Sequence, residues 1–386
     1  MSIFNKPLYY MIFYIVLIFI SVVFLIFELI IRIRMSNISF YPSRIFDKKC
    51  NMYKFKPFQK GKYNVPGKNF VGQYRINNEG WNSLRDYFKE RKKNINRIAC
   101  IGSSNTIAFE INIEDSYTQI IENTLNNIGI KNEVYTFGVP VISIAQVLHL
   151  VRIIVKDYSP DIITITSYSL GGLIISSPTK SEFMTLSVSS TENIKEILPN
   201  INVSFIIRIC RLSFLLKYLN KKYDIRKKIV FITSRFNSKS HQNLKNINIS
   251  ATRHNNSYLL QKYPSYKRKY DIALRYIYNQ LNYILAKHNV KPLFIFYPQS
   301  FYSCSNDGAI KLSEESEGRM QTKSLLNEYS LPYFDLTETY VKDYETNRIK
   351  FAFVGDTHFN EYGHKVMGEA IAKFLIENKY FEDKPL

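Results

Sequence analysis

Two short segments, far apart in the chain, contain the residue types that nucleophilic catalysis needs. The first, Ile98–Ile107, reads IACIGSSNTI, an apolar run that ends in a glycine and two serines. The second, Gly355–His364, reads GDTHFNEYGH and has Asp356 two residues before His358. In a nucleophilic triad a histidine takes the serine proton and a carboxylate orients the imidazole. Each segment alone is also typical of an ordinary turn or loop, so the hypothesis of a Ser-His-Asp site depends on both occurring in this order.

The pattern around these segments predicts a parallel sheet with crossover helices. From Arg97 onward, short apolar runs alternate with helical stretches, which is typical of α/β folds. A serine on the turn after such a strand lies at the carboxyl edge of the sheet, where open α/β sheets bind ligands. The predicted strands are Arg97–Gly102, Glu133–Gly138, Asp161–Thr166, Pro292–Tyr297 and Tyr333–Leu336, and the predicted helices are Ser116–Ile128, Ile144–Tyr158, Tyr266–His288, Glu314–Tyr329 and Gly363–Asn378.

Together these blocks resemble the SGNH, or GDSL-like, hydrolase family, over about Tyr74 to Tyr380 without an insertion. That family has a three-layer α/β/α fold with a mainly parallel sheet. Its first block is usually Gly-Asp-Ser-x-Thr, and this chain reads GSSNT, so Ser104 takes the nucleophile position and Ser103 replaces the usual Asp. Asp356 and His358, just before a last helix, resemble the family's final block.

The two middle blocks match the family less well. The second usually reads Asn-x-Gly; here TFGVP matches the glycine at Gly138 but not the asparagine. The third usually ends in Gly-x-Asn-Asp, whereas residues 167–171 read SYSLG. The resemblance therefore implies an oxyanion hole made by the backbone amides of Ser104 and Gly138, with Ser169 as a substitute donor for the missing asparagine.

The resemblance implies a serine esterase or deacylase in which Ser104, His358 and Asp356 form an acyl-enzyme. The same triad would make an O-acyltransferase if a sugar hydroxyl, rather than water, accepted the acyl group. No cofactor is implied, and no metal-ligand spacing is seen. An envelope polysaccharide is a candidate substrate by analogy alone, and the acyl group and acceptor stay open. The alternative is a non-catalytic carbohydrate-binding or assembly protein on a degenerate fold of this type.

The N-terminal segment Leu8–Phe27 has no charged residue, and its twenty residues are long enough to cross a hydrocarbon core of roughly 30 Å as a helix. No small-residue cleavage site follows it, which favours an uncleaved single-pass anchor over a signal peptide. The alternative of a buried core helix would rarely be apolar on every face. The side of the membrane stays open: Lys and Arg counts favour a cytoplasmic domain, whereas the family analogy favours an extracytoplasmic one.

Composition and charge limit the remaining classes. With 46% hydrophobic residues, the chain is not disordered or fibrous, and its four cysteines form no C-x-x-C pair. The net charge of +20 would suit nucleic acid or an anionic membrane surface. The excess is spread along the chain, and a nucleic-acid-binding motif is not found.

We divide the chain into a tail and anchor at 1–34, a linker and flap at 35–95, and an α/β domain at 96–386. This domain contains a basic insertion at 172–261, in which we predict a helix at Val203–Leu219.

Overall fold

The computed structural model describes residues 6–34, 41–64, 70–140, 142–167, 183–199, 264–298, 317–354, 356 and 358–382. The chain divides into two compact units. The N-terminal helix belongs to the first unit, and every other described residue belongs to the second. The predicted helix at Val203–Leu219 lies outside the described residues.

The N-terminal helix, α1, runs from Lys6 to Arg34. Its stretch Tyr10–Ile30 contains 21 residues with a mean hydropathy of 2.9. Its large apolar side chains are mostly exposed, whereas Glu28 is buried. By length and composition it is the one helix among the described residues that could cross a membrane. The position and type of the predicted N-terminal apolar helix are confirmed.

Two antiparallel hairpins precede the α/β domain. The first pairs β1 (Arg44–Asp47) with β2 (Met52–Phe55), and the second pairs β3 (Lys60–Asn64) with β4 (Val71–Arg75). The amino-acid pattern alone predicts an irregular flap here, because four- and five-residue strands give too short an alternation to identify.

The α/β domain follows as alternating strands and helices, in the order expected. A short 3-10 helix at Ile113–Asp115 precedes its first long helix. In chain order the elements are β5 (Asn96–Gly102), α2 (Ser104–Ile107), α3 (Tyr117–Asn127), β6 (Asn132–Gly138), α4 (Ile144–Tyr158), β7 (Ile162–Ser167), β8 (Thr185–Val188), β9 (Ile194–Ile197), α5 (Pro264–Lys287), β10 (Lys291–Phe296), α6 (Glu317–Glu328), β11 (Tyr333–Asp335), α7 (Thr337–Asn347) and α8 (Glu361–Glu377).

Five of these strands form one parallel sheet in the order β6-β5-β7-β10-β11. Numbered along the chain with β5 as strand 1, this is the 2-1-3-4-5 order of doubly wound folds. In such sheets the direction of winding reverses beside strand 1. Strands β8 and β9 form a separate antiparallel hairpin within the proposed insertion. The four crossovers within the sheet bring the carboxyl ends of all five strands to one edge.

Helices cover both faces of the sheet, as the alternation of side chains along β5 makes clear. Ala99 and Ile101 pack in a core with α4 and α5, whereas Ile98 and Cys100 pack in a second core with α3 and α8. Successive residues of a strand point to opposite faces, so the two cores lie on the two sides of the sheet. The predicted three-layer α/β/α fold with a parallel sheet is confirmed, and each predicted strand and helix of the sheet layers is present within three residues of its expected bounds.

Candidate active site

The turn that carries the two serines begins where β5 ends. A Cβ on Gly102 would lie 2.0 Å from Thr106 Oγ1 and 3.1 Å from Thr166 O, so glycine lets the chain pack closely against α2 at the end of the strand. Ser103 is the N-cap of α2, and Ser104 is its first residue. The helix lasts a single turn and ends at Ala108, which has a left-handed φ of 56°. The candidate nucleophile is therefore presented on a tight strand-to-helix turn at the carboxyl edge of the sheet.

Gly138 lies beside this turn at the end of the neighbouring strand. It pairs with Gly102 in the register of β5 and β6. A Cβ on Gly138 would lie 2.6 Å from the backbone nitrogen of Ile107 in α2, so this close approach also requires glycine. The structure thus brings the predicted oxyanion residue Gly138 against the helix that begins with Ser104.

Asp356 and His358 lie in a narrow loop between α7 and α8. Backbone hydrogen bonds join Phe353 N to His358 O at 3.2 Å and Asn360 N to Phe351 O at 2.9 Å, so the loop is closed like a hairpin. Asp356 Oδ1 accepts a hydrogen bond from the His358 backbone N–H at 3.1 Å and is also bonded to His358 Nδ1. The short Asp-x-His spacing thus lets one carboxylate hold both the backbone and the ring of the histidine.

A buried amide joins the serine turn to the histidine loop. Asn105 Oδ1 accepts a hydrogen bond from the Phe359 backbone N–H at 3.2 Å, and Asn105 is 4% exposed. Asn105 follows Ser104, and Phe359 follows His358. The two segments, 254 residues apart in sequence, are therefore in direct contact at the residues next to the candidate nucleophile and base.

The two serines have different surroundings. Ser103 Oγ lies 3.3 Å from the hydroxyl of Tyr297, the residue after β10. Ser104 is half-buried, and its hydroxyl has no hydrogen-bond partner among the described residues, His358 included. The structure thus brings the serine turn and the Asp356–His358 pair together, without a formed serine–histidine hydrogen bond.

A second carboxylate, which the sequence reasoning missed, faces the other edge of His358. Glu110 Oε1 lies 3.6 Å from His358 Nε2, and Glu110 is only 7% exposed. Burial raises the pKa of Glu110 above its ordinary value, and the nearby imidazole opposes that rise. A signal was present in the sequence, because Glu110 is an acidic residue inside the otherwise apolar run IAFEI.

The N-terminal hairpins line the segment that contains Glu110. Asn82 Nδ2 donates a hydrogen bond of 2.7 Å to Ile107 O at the end of α2. A Cβ on Gly72 would lie 2.2 Å from Phe109 O, so β4 passes directly over this segment. Burial, followed by the charge of Glu110, raises the pKa of Tyr63 on β3 to about 12. Residues before the α/β domain thus form one wall around Glu110.

Ser169 and His364 are the remaining residues that the sequence singled out. Ser169, the predicted substitute oxyanion donor, lies outside the described residues. His364 is 1% exposed, its Nδ1 accepts the Tyr117 backbone N–H at 3.2 Å, and its ring stacks on that of Tyr117. Burial lowers the pKa of His364 to about 3, so its ring is neutral at ordinary pH. Its contacts with Tyr117 are structural.

No family model and no curated protein matches this sequence. Solved structures that match include an acetyl xylan esterase, at 12% identity and a TM-score of 0.34 over 72% of this chain and 99% of that one. A lipolytic G-D-S-L family protein from Veillonella parvula matches at 14% identity and a TM-score of 0.32, over 73% of this chain and 96% of that one. A lipase/acylhydrolase from Enterococcus faecalis matches at 11% identity and a TM-score of 0.34, over 74% of this chain and 97% of that one. At such identities and scores, the likeness bears on neither the substrate nor the mechanism of this chain.

Proposed function

We propose that this chain is a membrane-anchored SGNH-type serine hydrolase that cleaves acyl esters through an acyl-enzyme on Ser104. The observation that carries the proposal is the contact between the serine turn and the histidine loop, made by Asn105 and Phe359. It supports Ser104 and His358 as partners because each lies one residue before a member of that contact. The bond from Asp356 to His358 Nδ1 supplies the third part of a triad.

In the proposed reaction, Ser104 Oγ attacks the ester carbonyl while its proton passes to His358 Nε2. The carbonyl oxygen becomes an oxyanion, the leaving alcohol takes the proton from the imidazolium, and an acyl-serine ester remains. Water then repeats the sequence, which releases the acid and restores the Ser104 hydroxyl. Asp356 keeps the proton on Nδ1 and stabilises the imidazolium. A hydroxyl of a sugar in place of water would give acyl transfer by the same steps.

The oxyanion requires donors that are in position before the reaction begins. The proposed donors are the backbone amides of Ser104 and Gly138, and the approach of Gly138 to α2 supports this assignment. Loss of one such donor typically lowers the rate by ~10²–10³-fold. The asparagine that the family uses is missing from residues 167–171, which read SYSLG, and Ser169 is the proposed replacement.

The anchor is the second part of the proposal. Helix α1 has 21 consecutive residues of mean hydropathy 2.9, which is long enough for one membrane crossing. We therefore assign it as a single-pass anchor, with a cleaved signal sequence as the outcome that would contradict this. The catalytic unit would then act at a membrane surface, on esters of a soluble or surface-attached substrate.

The test of the catalytic proposal is covalent labelling of the full-length chain in detergent. A fluorophosphonate probe should label the wild-type protein at Ser104, as read by peptide mass spectrometry. The Ser103→Ala protein should label like wild type, and the Ser104→Ala protein should not label. A folded wild-type protein that neither labels nor cleaves p-nitrophenyl acetate would instead support the non-catalytic binding or assembly function.

A further inference from the structure

Glu110 is a buried carboxylate at the centre of the site, and the triad reaction does not use it. It belongs to the segment that follows α2, six residues after Ser104. Its Oε1 atom lies 3.6 Å from His358 Nε2, the nitrogen that must receive the serine proton. Asp356 holds the opposite nitrogen, Nδ1, of the same ring. The imidazole therefore lies between two carboxylates.

The other ionisable groups around Glu110 do not compensate its charge. Tyr41 precedes β1, Tyr63 lies on β3, and burial raises the pKa of both phenols, so both are neutral at ordinary pH. Asp356 adds a second negative charge, which disfavours ionisation of Glu110. Among the described groups that act on the Glu110 carboxylate, His358 is the one that can provide a positive charge.

Among the described residues, His358 has a further ionisable neighbour on the helix that follows its loop. His364 on α8 is fully buried and acts on His358 electrostatically. Because burial keeps His364 neutral above a pH of about 3, it adds no charge to the site near neutral pH. The charged groups that face the His358 ring among the described residues are therefore Asp356 and Glu110.

We infer that Glu110 is a positioning residue that faces His358 from the Nε2 side and stabilises the imidazolium relative to the neutral ring. The consequence for catalysis rests on the proposed function. An imidazolium has no lone pair on Nε2, so it cannot accept the serine proton. A carboxylate near the ring stabilises the imidazolium, and removal of that charge favours the neutral base. Glu110 thus influences the pH below which the base is protonated and the site is inactive.

The direct test is an NMR titration of histidine Cε1 in the ¹³C-labelled full-length protein in detergent. The His358 signal, identified by its loss in His358→Ala, is followed with pH in wild type, Glu110→Gln and Glu114→Gln. Glu110→Gln keeps the size of the side chain and removes its charge. We expect the midpoint of the His358 titration to move to lower pH by about one pH unit. Glu114→Gln removes the same charge from an exposed site four residues away and should leave the midpoint unchanged.

A kinetic test gives an independent readout. In a plot of kcat/KM against pH, the acid limb reports the pKa of the essential base in the free enzyme. In Glu110→Gln this limb should move to lower pH by a similar amount. At pH values below the wild-type limb, a variant whose limb has moved by one pH unit should be up to about tenfold more active than wild type. A residue that only supports the fold would lower the rate at all pH values without moving the limb.

Each outcome separates this inference from the proposed function. A moved His358 midpoint in a protein without esterase activity supports the role of Glu110 and overturns the hydrolase assignment. An active esterase whose midpoint and acid limb are both unmoved in Glu110→Gln overturns the inference alone. Should Glu110→Gln fail to fold, Glu110→Asp withdraws the carboxylate by one methylene, and an unmoved midpoint in that variant overturns the inference.

Discussion

Ser103 and Ser104 are adjacent in sequence, yet they have different chemical environments. Ser103 Oγ lies 3.3 Å from the hydroxyl of Tyr297, whose ring packs against Phe359 in the histidine loop. Ser104 begins α2 and is half-buried, with no partner for its hydroxyl among the described residues. At the scale of single residues, this contrast favours Ser104 as the attacking group and Ser103 as part of the turn.

The first prediction separates the two serines. Ser104→Ala and His358→Ala should each lower kcat for a p-nitrophenyl ester on the order of 10⁶-fold, and the double variant should be little worse, because triad members act as a unit. Ser103→Ala is the matched control on the same turn and should be mild. Loss of activity in Ser103→Ala with retention in Ser104→Ala would move the nucleophile by one residue.

The second prediction concerns the carboxylate of the pair. Asp356→Asn keeps the size of the side chain but favours the wrong imidazole tautomer, so kcat should fall by about 10⁴-fold while the protein stays folded. The measurement is steady-state hydrolysis together with far-UV circular dichroism. Unchanged kinetics in the folded variant would show that Asp356 does not orient His358.

The third prediction follows from the buried neutral ring of His364. Its pKa is lowered from 6.5 to about 3 by burial, so between these values the unfolded chain binds a proton that the folded chain does not. Stability from this group is complete above pH 6.5 and is lost progressively as pH falls towards 3. In His364→Asn, the amide oxygen can replace Nδ1 as acceptor, and this part of the pH dependence should disappear.

Urea unfolding at pH 7 and pH 4.5 measures that difference in wild type and in the variant. His288→Asn, which makes the same substitution at an exposed histidine after α5, is the matched control. An equal loss of stability at pH 4.5 in wild type and His364→Asn would contradict the assignment of a neutral buried ring.

At the scale of elements, the site depends on three segments packed at the carboxyl edge of the sheet. The one-turn helix α2 rests on Gly138, the histidine loop reaches it through Asn105, and the hairpin strand β4 passes over the segment that follows it. None of these contacts lies within one element. The precision of the site therefore depends on how these segments pack, and small changes at the junctions should alter the rate more than the fold.

The fourth prediction tests the junction at Asn105. Asn105→Ala leaves the buried Phe359 N–H without its acceptor, which should lower stability by about 1–3 kcal/mol. The histidine loop would then be less well positioned, and kcat/KM should fall by up to about 10²-fold. The control is Asn123→Ala on the exposed face of α3, which should change stability by less than about 0.5 kcal/mol. Equal kinetics in both variants would show that the junction does not position the base.

At the scale of the whole molecule, one helix is chemically unlike the other described helices. Helix α1 exposes large apolar side chains over most of its length, including Phe19 at 67% and Leu25 at 63%. An exposed apolar surface of this size is unfavourable in water and indicates a lipid or protein partner. The apolar side chains occur on every face of the helix, which favours lipid on all sides.

The fifth prediction is that α1 anchors the full-length chain. Alkaline carbonate extraction of membranes should leave the protein in the pellet, with its N-terminal residues intact by mass spectrometry. Protease treatment of sealed vesicles then determines which side the proposed catalytic unit faces. Recovery in the supernatant, or a mature N-terminus after residue 30, would contradict the anchor.

Local patterns were sufficient to predict most of the fold. Continuous apolar runs such as Ile98–Ile101 predicted buried strands, and the apolar positions at helical spacing in Ile144–Tyr158 predicted α4 with its observed bounds. Elements that are short or polar were missed: the hairpin strands have four or five residues, and α7 is rich in charged and polar residues. A short run gives too few repeats of either period to distinguish a strand from a loop.

The candidate residues were also predictable where their signal was local. The sequence by itself determined that Ser104 follows a glycine at the end of a strand and that Asp356 lies two residues before His358, because turns and close spacings depend only on neighbouring residues. Only the tertiary structure decided that Asn105 contacts Phe359, that β4 covers the segment after α2, and that Glu110 faces His358 Nε2. These contacts join distant parts of the chain, and they form because the parallel sheet brings the ends of its strands to one edge.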